Sequence, residues 1–147
     1  MIKGISILFI PLLILAGCTS TQDSFVHEGS FLEIVYAQPA ENSVIFYNDD
    51  IFITINYSIG NYNESSQYFA DAELVYNDSS FLVNGAKKLL NNSAGIINLT
   101  LHPSILYVSE NNSYNIYPPY IFMITLNKNY KGINFITLAN QTINYKG

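Results

Sequence analysis

The chain has no arginine, no tryptophan and one cysteine, Cys18, and only 12% of its 147 residues are charged. A single cysteine excludes a disulfide within the chain, so the fold has to rest on packing alone. With six lysines against eleven acids and a net charge of −5, there is no basic face for a phosphate backbone, and nucleic-acid binding is set aside. Histidine is as sparse: His27 and His102 are the only imidazoles, and a zinc site would need both to converge with carboxylates. A blue-copper centre would need a thiolate beside two imidazoles, and the sole thiol, Cys18, falls at the end of the first apolar run, where it has another use. His27-Glu28 lacks the second histidine four residues on that a zinc-protease helix requires, and no Gly-x-Ser-x-Gly elbow, phosphate loop or dinucleotide fingerprint occurs. The densest carboxylates, Asp49-Asp50 and Asp71 with Glu73, lack the spacing of an EF-hand and read as solvated groups that blunt an edge strand. A paired-carboxylate glycosidase would need two such groups facing one cleft. These absences point away from an enzyme, and neither a metal nor a cofactor is expected.

Scarce charge does not make the chain disordered, because 49% of its residues are apolar. The first apolar run, Ile5 to Ala16, follows Lys3 and would span roughly 18 Å as a helix, against about 30 Å of bilayer hydrocarbon. It is too short to cross and has the layout of a secretory signal: a basic start, an apolar middle and small residues before a cut. The run closes on Leu15-Ala16-Gly17-Cys18. This resembles the lipobox of prokaryotic lipoproteins, in which the signal is cut before a cysteine whose thiol carries a diacylglycerol. The resemblance implies a signal peptide over 1–17, a lipidated Cys18 with fatty acyl chains such as palmitate, and a mature protein held on the outer side of the cell membrane. Each buried methylene contributes about 0.8 kcal/mol, so two or more chains hold a protein stably where one would not. Residues 18–30 (Thr19 to Ser30 reads TSTQDSFVHEGS) are small and polar, which suits a flexible tether.

The solvent-facing role of charge is taken by 18 asparagines, by serine and threonine, and by 12 tyrosines. Seven asparagines, Asn56, Asn63, Asn77, Asn91, Asn98, Asn111 and Asn140, are followed two positions later by Ser or Thr with no proline between. Chance placement gives about 2.6 such sites. On an exported, weakly charged chain the excess points to N-glycosylation, and a lipobox together with many sequons resembles archaeal envelope proteins more than bacterial ones.

From Phe31 onward, short runs rich in Ile, Val, Phe, Tyr and Thr alternate with clusters of Asn, Ser, Gly and Pro, the mark of strands and turns. Ile51 to Ile59 is the clearest: Ile51, Ile53, Ile55, Tyr57 and Ile59 share one face, with Thr54, Asn56 and Ser58 on the other. The same phase sets Ala70, Ala72, Leu74 and Tyr76 against Asp71, Glu73 and Asn77, and Ile97, Leu99 and Leu101 against Asn98, Thr100 and His102. Asn56, Asn77 and Asn98 thus fall on polar sides. Further strands are expected at Phe31 to Ala37, Ser43 to Tyr47, Ser80 to Val83, Ile105 to Val108, Tyr120 to Leu126, Ile133 to Leu138 and Thr142 to Tyr145. Gly85 to Asn91, where Lys87-Lys88-Leu89-Leu90 departs from alternation, reads as a helical turn linking two sheets. The expectation is an all-β, antiparallel sandwich over 31–147 with about 7–10 strands. The first strand, the Pro39-Ala40-Glu41-Asn42 bend, the return strand, the acidic Asp49-Asp50 turn and the long alternating strand resemble immunoglobulin-like domains of microbial surface proteins. The chain departs from antibody-type domains in having no tryptophan and no cysteine pair.

Tyrosine offers a rigid apolar face and a hydroxyl at low entropic cost, which is why binding loops favour it. Tyr57, Tyr76 and Tyr120 share phase with the core, whereas Tyr62, Tyr68, Tyr107, Tyr114, Tyr117 and Tyr130 lie in or beside polar turns. The segment from Asn111 to Tyr120 has the composition of a recognition loop, with Tyr114, Tyr117 and Tyr120 as candidate partner contacts. The sequence therefore leads to a lipid-anchored, non-catalytic binding or structural module of the cell envelope, with an envelope protein or glycan as partner. The other class it allows is a small ligand-binding or accessory lipoprotein of a membrane transport complex.

Overall fold

The computed structural model describes residues 29–104, 106, 116–130 and 134–147. Eight strands run in chain order: β1 (Phe31–Gln38), β2 (Ile51–Ser58), β3 (Tyr68–Tyr76), β4 (Ser79–Leu82), β5 (Lys88–Leu90), β6 (Ala94–Leu101), β7 (Tyr120–Tyr130) and β8 (Asn134–Tyr145). They form two antiparallel sheets, one of three strands in the order β1-β2-β6 and one of five in which β4, β3, β7 and β8 follow one another and β5 shares the β3 edge with β4. The protein is all-β, a sandwich of two sheets with the core between them. Among the described residues no helix is long and apolar enough to cross a membrane.

Period-2 alternation builds this core, since successive side chains of a strand point to opposite faces. Ile51, Ile53, Ile55 and Tyr57 from β2, with Leu99 and Leu101 from β6, face Ala70, Ala72 and Leu74 from β3 and Phe122, Ile124 and Leu126 from β7. Ile59, just past β2, joins them. The small residues Ala70 and Ala72 leave room for large neighbours, and Phe122 meets Tyr145 edge to face with ring centroids 6.0 Å apart, a favoured aromatic geometry. Leu→Ala at a site such as Leu74 would cost about 2–5 kcal/mol.

The edges of the two sheets meet at β1 and β8. A bulge at Val35 shifts the β1 register between Ile34 and Tyr36, and the Ile34 N–H reaches across to Gln141 Oε1 at 2.5 Å. After the cis Gln38–Pro39 bond the chain passes to the other sheet. There Val44 pairs in parallel with Lys146, the Ile45 N–H donates to the Lys146 carbonyl at 2.9 Å, and the Tyr145 hydroxyl donates to the Pro39 carbonyl at 2.9 Å. Burial, with Glu41 adding its charge, pushes the Tyr145 phenol up to about 12. At the start of the described domain, Ser30 is fully buried, its Oγ accepting from the Gly60 N–H at 3.0 Å.

Four expectations need correction. Ser43 to Tyr47 is not a strand, because its backbone meets Lys146, just past β8, at a single bridge and then turns, with Asp49 Oδ2 accepting from the Phe46 N–H at 2.8 Å. Gly85 to Asn91 is not a helical turn; Lys88–Leu90 is the short strand β5, paired with Tyr68–Ala70. The two strands expected over Ile133–Leu138 and Thr142–Tyr145 are one, β8, which carries a bulge where Leu138 is passed over between Thr137 and Ala139. Of Ile105 to Val108, only Leu106 lies among the described residues; it is helical and buried, its N–H bonded to the Pro103 carbonyl at 2.9 Å.

Candidate functional site

The residues that alternation sends to the outer face of the five-stranded sheet do not all reach water. Register places Asp71 of β3 beside Thr125 of β7, and Thr125 beside Asn140 of β8. Asp71, Thr125 and Asn127 are at most 5% exposed. Thr125 Oγ1 donates a short hydrogen bond to Asp71 Oδ1. Asn127 Nδ2 donates to Asp71 Oδ1 at 3.1 Å and to Thr125 Oγ1 at 2.6 Å, while Thr137 Oγ1 donates to Asn127 Oδ1 at 2.9 Å. The β8 bulge sets Thr137 opposite Asn127, so a polar chain runs across three strands. Buried polar groups are tolerated when bonded in this way.

Asp71 thus corrects the expectation of a solvated carboxylate. Burial raises its pKa first of all; the Thr125 bond pulls it back, the charge of Glu73 raises it again, and Lys87 and the Asn127 bond lower it. The net shift is upward because the cost of desolvating the charged carboxylate, with the charge of Glu73, outweighs what the two hydrogen bonds and Lys87 return.

Beside this network lies a pocket of about 350 Å³ lined by Phe69, Asp71, Leu82, Asn84, Lys87 and Phe135, among others. Its origin is the divided edge of β3. Strand β4 pairs with Glu73–Tyr76 and β5 with Tyr68–Ala70, leaving Asp71 and Ala72 between them. The chain from Val83 to Lys87 arches over that gap, tied by the Val83 N–H to the Ala72 carbonyl at 3.1 Å. Gly85 carries the arch at φ +79°, and a Cβ there would come within 2.8 Å of the His102 ring. Phe69 and Phe135 meet edge to face at 5.8 Å, and Lys87 Nζ stands 4.0 Å over the Phe69 ring, a cation–π distance.

The candidate residues from the sequence are scattered. Cys18, Asn111 and Tyr114 lie outside the described residues, as does His27. Asn56 (β2) and exposed Asn98 (β6) share the outer face of the three-stranded sheet, where Thr54 Oγ1 donates to Asn98 Oδ1 at 2.8 Å. Asn77 occupies the two-residue turn between β3 and β4 with φ 52°, one position beyond the strand. Asn63 is exposed in a turn, its Oδ1 accepting from the Ser65 N–H at 2.8 Å, and Asn91 is exposed just after β5. Asn140 falls within β8, half-buried beside the network and away from any turn. Tyr117 is 62% exposed, whereas Tyr120 opens β7 and packs against the core. Tyr68, expected in a polar turn, is buried at the start of β3 and stacks on Tyr62 at 5.1 Å. His102 Nδ1 pairs with Asp50 Oδ1 at 2.6 Å on the surface. Among the described residues, no group of three His, Cys, Asp or Glu side chains stands ready to hold a metal.

The sequence reading missed Thr125, Asn127 and Thr137 altogether. The available signal was Thr125-Leu126-Asn127, two polar residues flanking a core leucine in a strand that is otherwise apolar on both faces through Ile121-Phe122-Met123-Ile124. No family model, curated protein or solved structure matches this chain.

Proposed function

We propose that the protein is a lipid-anchored, outward-facing module of the cell envelope that binds or spaces other envelope components and carries out no reaction. The observation that carries this reading is Leu15-Ala16-Gly17-Cys18 at the end of a short apolar run, followed by a polar stretch that ends where Ser30 enters the domain. Cleavage before Cys18 leaves five lysines against eleven acids on a domain that stands off the membrane by its tether. The passage of the first strand to the second sheet at Pro39 supports the immunoglobulin-like reading of the sandwich. Outward-facing Asn56 and Asn98, with Asn63, Asn77 and Asn91 in turns, are positions at which a glycan would project without entering the core. The exposed Tyr117 supports a contact role for the Asn111 to Tyr120 segment.

Mass spectrometry of the membrane-bound protein tests the anchor. The expected N-terminal peptide begins at an acyl-modified Cys18, and Cys18→Ser is expected to leave the protein uncut or to release it from the membrane fraction. An intact Met1 on native membrane-bound protein overturns the reading. Crosslinking in intact cells tests the role: envelope proteins or glycans as neighbours support it, and recovery of a transporter permease would assign the protein to a transport complex instead.

A further inference from the structure

We propose that the pocket over Asp71 is a carbohydrate-binding site that takes a neutral sugar ring between Phe135 and the Asp71 carboxylate. The proposal deepens the reading of the protein as a binding module and rests on it only for the sugar's origin in the envelope.

The pocket is built and not a chance groove, since its floor is a carboxyl at 5% exposure held in place by two side chains. Both bonds fall on Oδ1, and among the described residues no donor is bonded to Oδ2. A buried acceptor with lone pairs to spare favours a ligand that donates, because leaving it unmet carries the desolvation penalty of the group. The walls are apolar: Phe69 is buried, and Phe135 and Leu82 present 53% and 73% of their surface. At the rim, Asn84 Nδ2 is engaged by Ser104 Oγ at 3.2 Å, which orients its amide, and Lys87 supplies a donor. A volume of about 350 Å³ lies within the roughly 300–1,000 Å³ of small-molecule sites.

Ligand classes can be weighed against this lining. An anion would meet Asp71 and, two positions along the same face, Glu73. A cation would find the place over the Phe69 ring taken, since Lys87 Nζ already sits 4.0 Å from its centroid. A wholly apolar ligand would cover Asp71 and supply no donor. A sugar ring satisfies every part of the lining: its hydroxyls donate to Asp71 and accept from Lys87, and its C–H face lies on the Phe135 ring as apolar surface does on aromatics. The short polar chain from Thr137 through Asn127 and Thr125 fixes the carboxyl before any ligand arrives, so little ordering is left for binding to offset.

The test uses the full-length protein extracted in a detergent without a sugar headgroup. It is titrated calorimetrically with neutral hexose and N-acetylhexosamine disaccharides, with a uronic acid disaccharide, and with tetramethylammonium. Saturable binding of a neutral saccharide is expected. Phe135→Ala is expected to weaken it by about tenfold or more, equivalent to about 1.4 kcal/mol, with little change in the unfolding midpoint, and Phe135→Tyr is expected to retain it. Asp71→Asn, which keeps an oxygen for Thr125, provides a second variant and is expected to weaken binding too. Absence of saccharide binding, binding indifferent to both variants, or binding of tetramethylammonium or the uronic acid alone overturns the proposal. None of these outcomes bears on Cys18, whose acylation is read separately, so failure of the pocket and failure of the anchor are distinguishable.

Discussion

On the outer face of the three-stranded sheet, Thr54 donates to Asn98 in reach of solvent; on the outer face of the five-stranded sheet, Thr125 and Asn127 make bonds of the same kind out of its reach. Both faces have polar residues at alternate positions, and both look alike as sequence. The difference comes from what lies above them. On the first face Phe52, Ile96 and Asn98 stand exposed. The second is roofed by the Val83–Lys87 arch at the divided β3 edge and by Phe135. Alternation therefore assigns a side chain to a side of the sheet, and a distant segment decides whether that side is wet.

The comparison can be broken by substitution. Asn127→Ala strips partners from Asp71, Thr125 and Thr137 at once and is expected to cost about 2–4 kcal/mol, read as a lower urea midpoint. A loss under about 1 kcal/mol would mean that water reaches the network. Thr125→Val, which keeps the shape but removes the hydroxyl that donates to Asp71 and accepts from Asn127, is expected to cost about 1–2 kcal/mol. The pH dependence of Asp71 comes next. Burial raises its folded pKa, so its contribution to stability is fully present below the ordinary carboxylate range and is lost as pH rises through the raised value. Asp71→Asn mimics the protonated form, so its stability relative to the parent is expected to improve between about pH 4 and pH 7. A constant difference in urea midpoint across that range would show that Asp71 is not desolvated. Last, Asn98→Ala on the open face is expected to shift stability by no more than about 0.5 kcal/mol. A larger loss would make the two faces equivalent.

Much of the sandwich was legible because both sheets bury one face. Ile51 to Ile59 could be read directly, and so could the phases around Leu74 and Leu99. The misread segments are those where alternation has no room to show itself. Strand β5 offers three residues, of which only Leu90 points inward, and Ser43 to Tyr47 has two exposed aromatics, Phe46 and Tyr47, beyond one bridge. Bulges hide pattern too: passing over Leu138 puts Leu138 and Ala139 both in the core and makes β8 look like two strands. The Asp71 pocket was illegible for a stronger reason. Its lining comes from β3, β4, β8 and the arch between β4 and β5, and no local spacing announces such a meeting.

The bonds that fasten β1 to the end of β8 join residues more than one hundred positions apart: Ile34 to Gln141, Pro39 to Tyr145 and Glu41 to Asn144. Contacts of such high sequence separation form late and slow folding. A chain delivered through a narrow channel N-terminus first could pair β1 with β2 early, but these bonds would have to wait until β8 had come through. The two sheets would lock together at this edge only then.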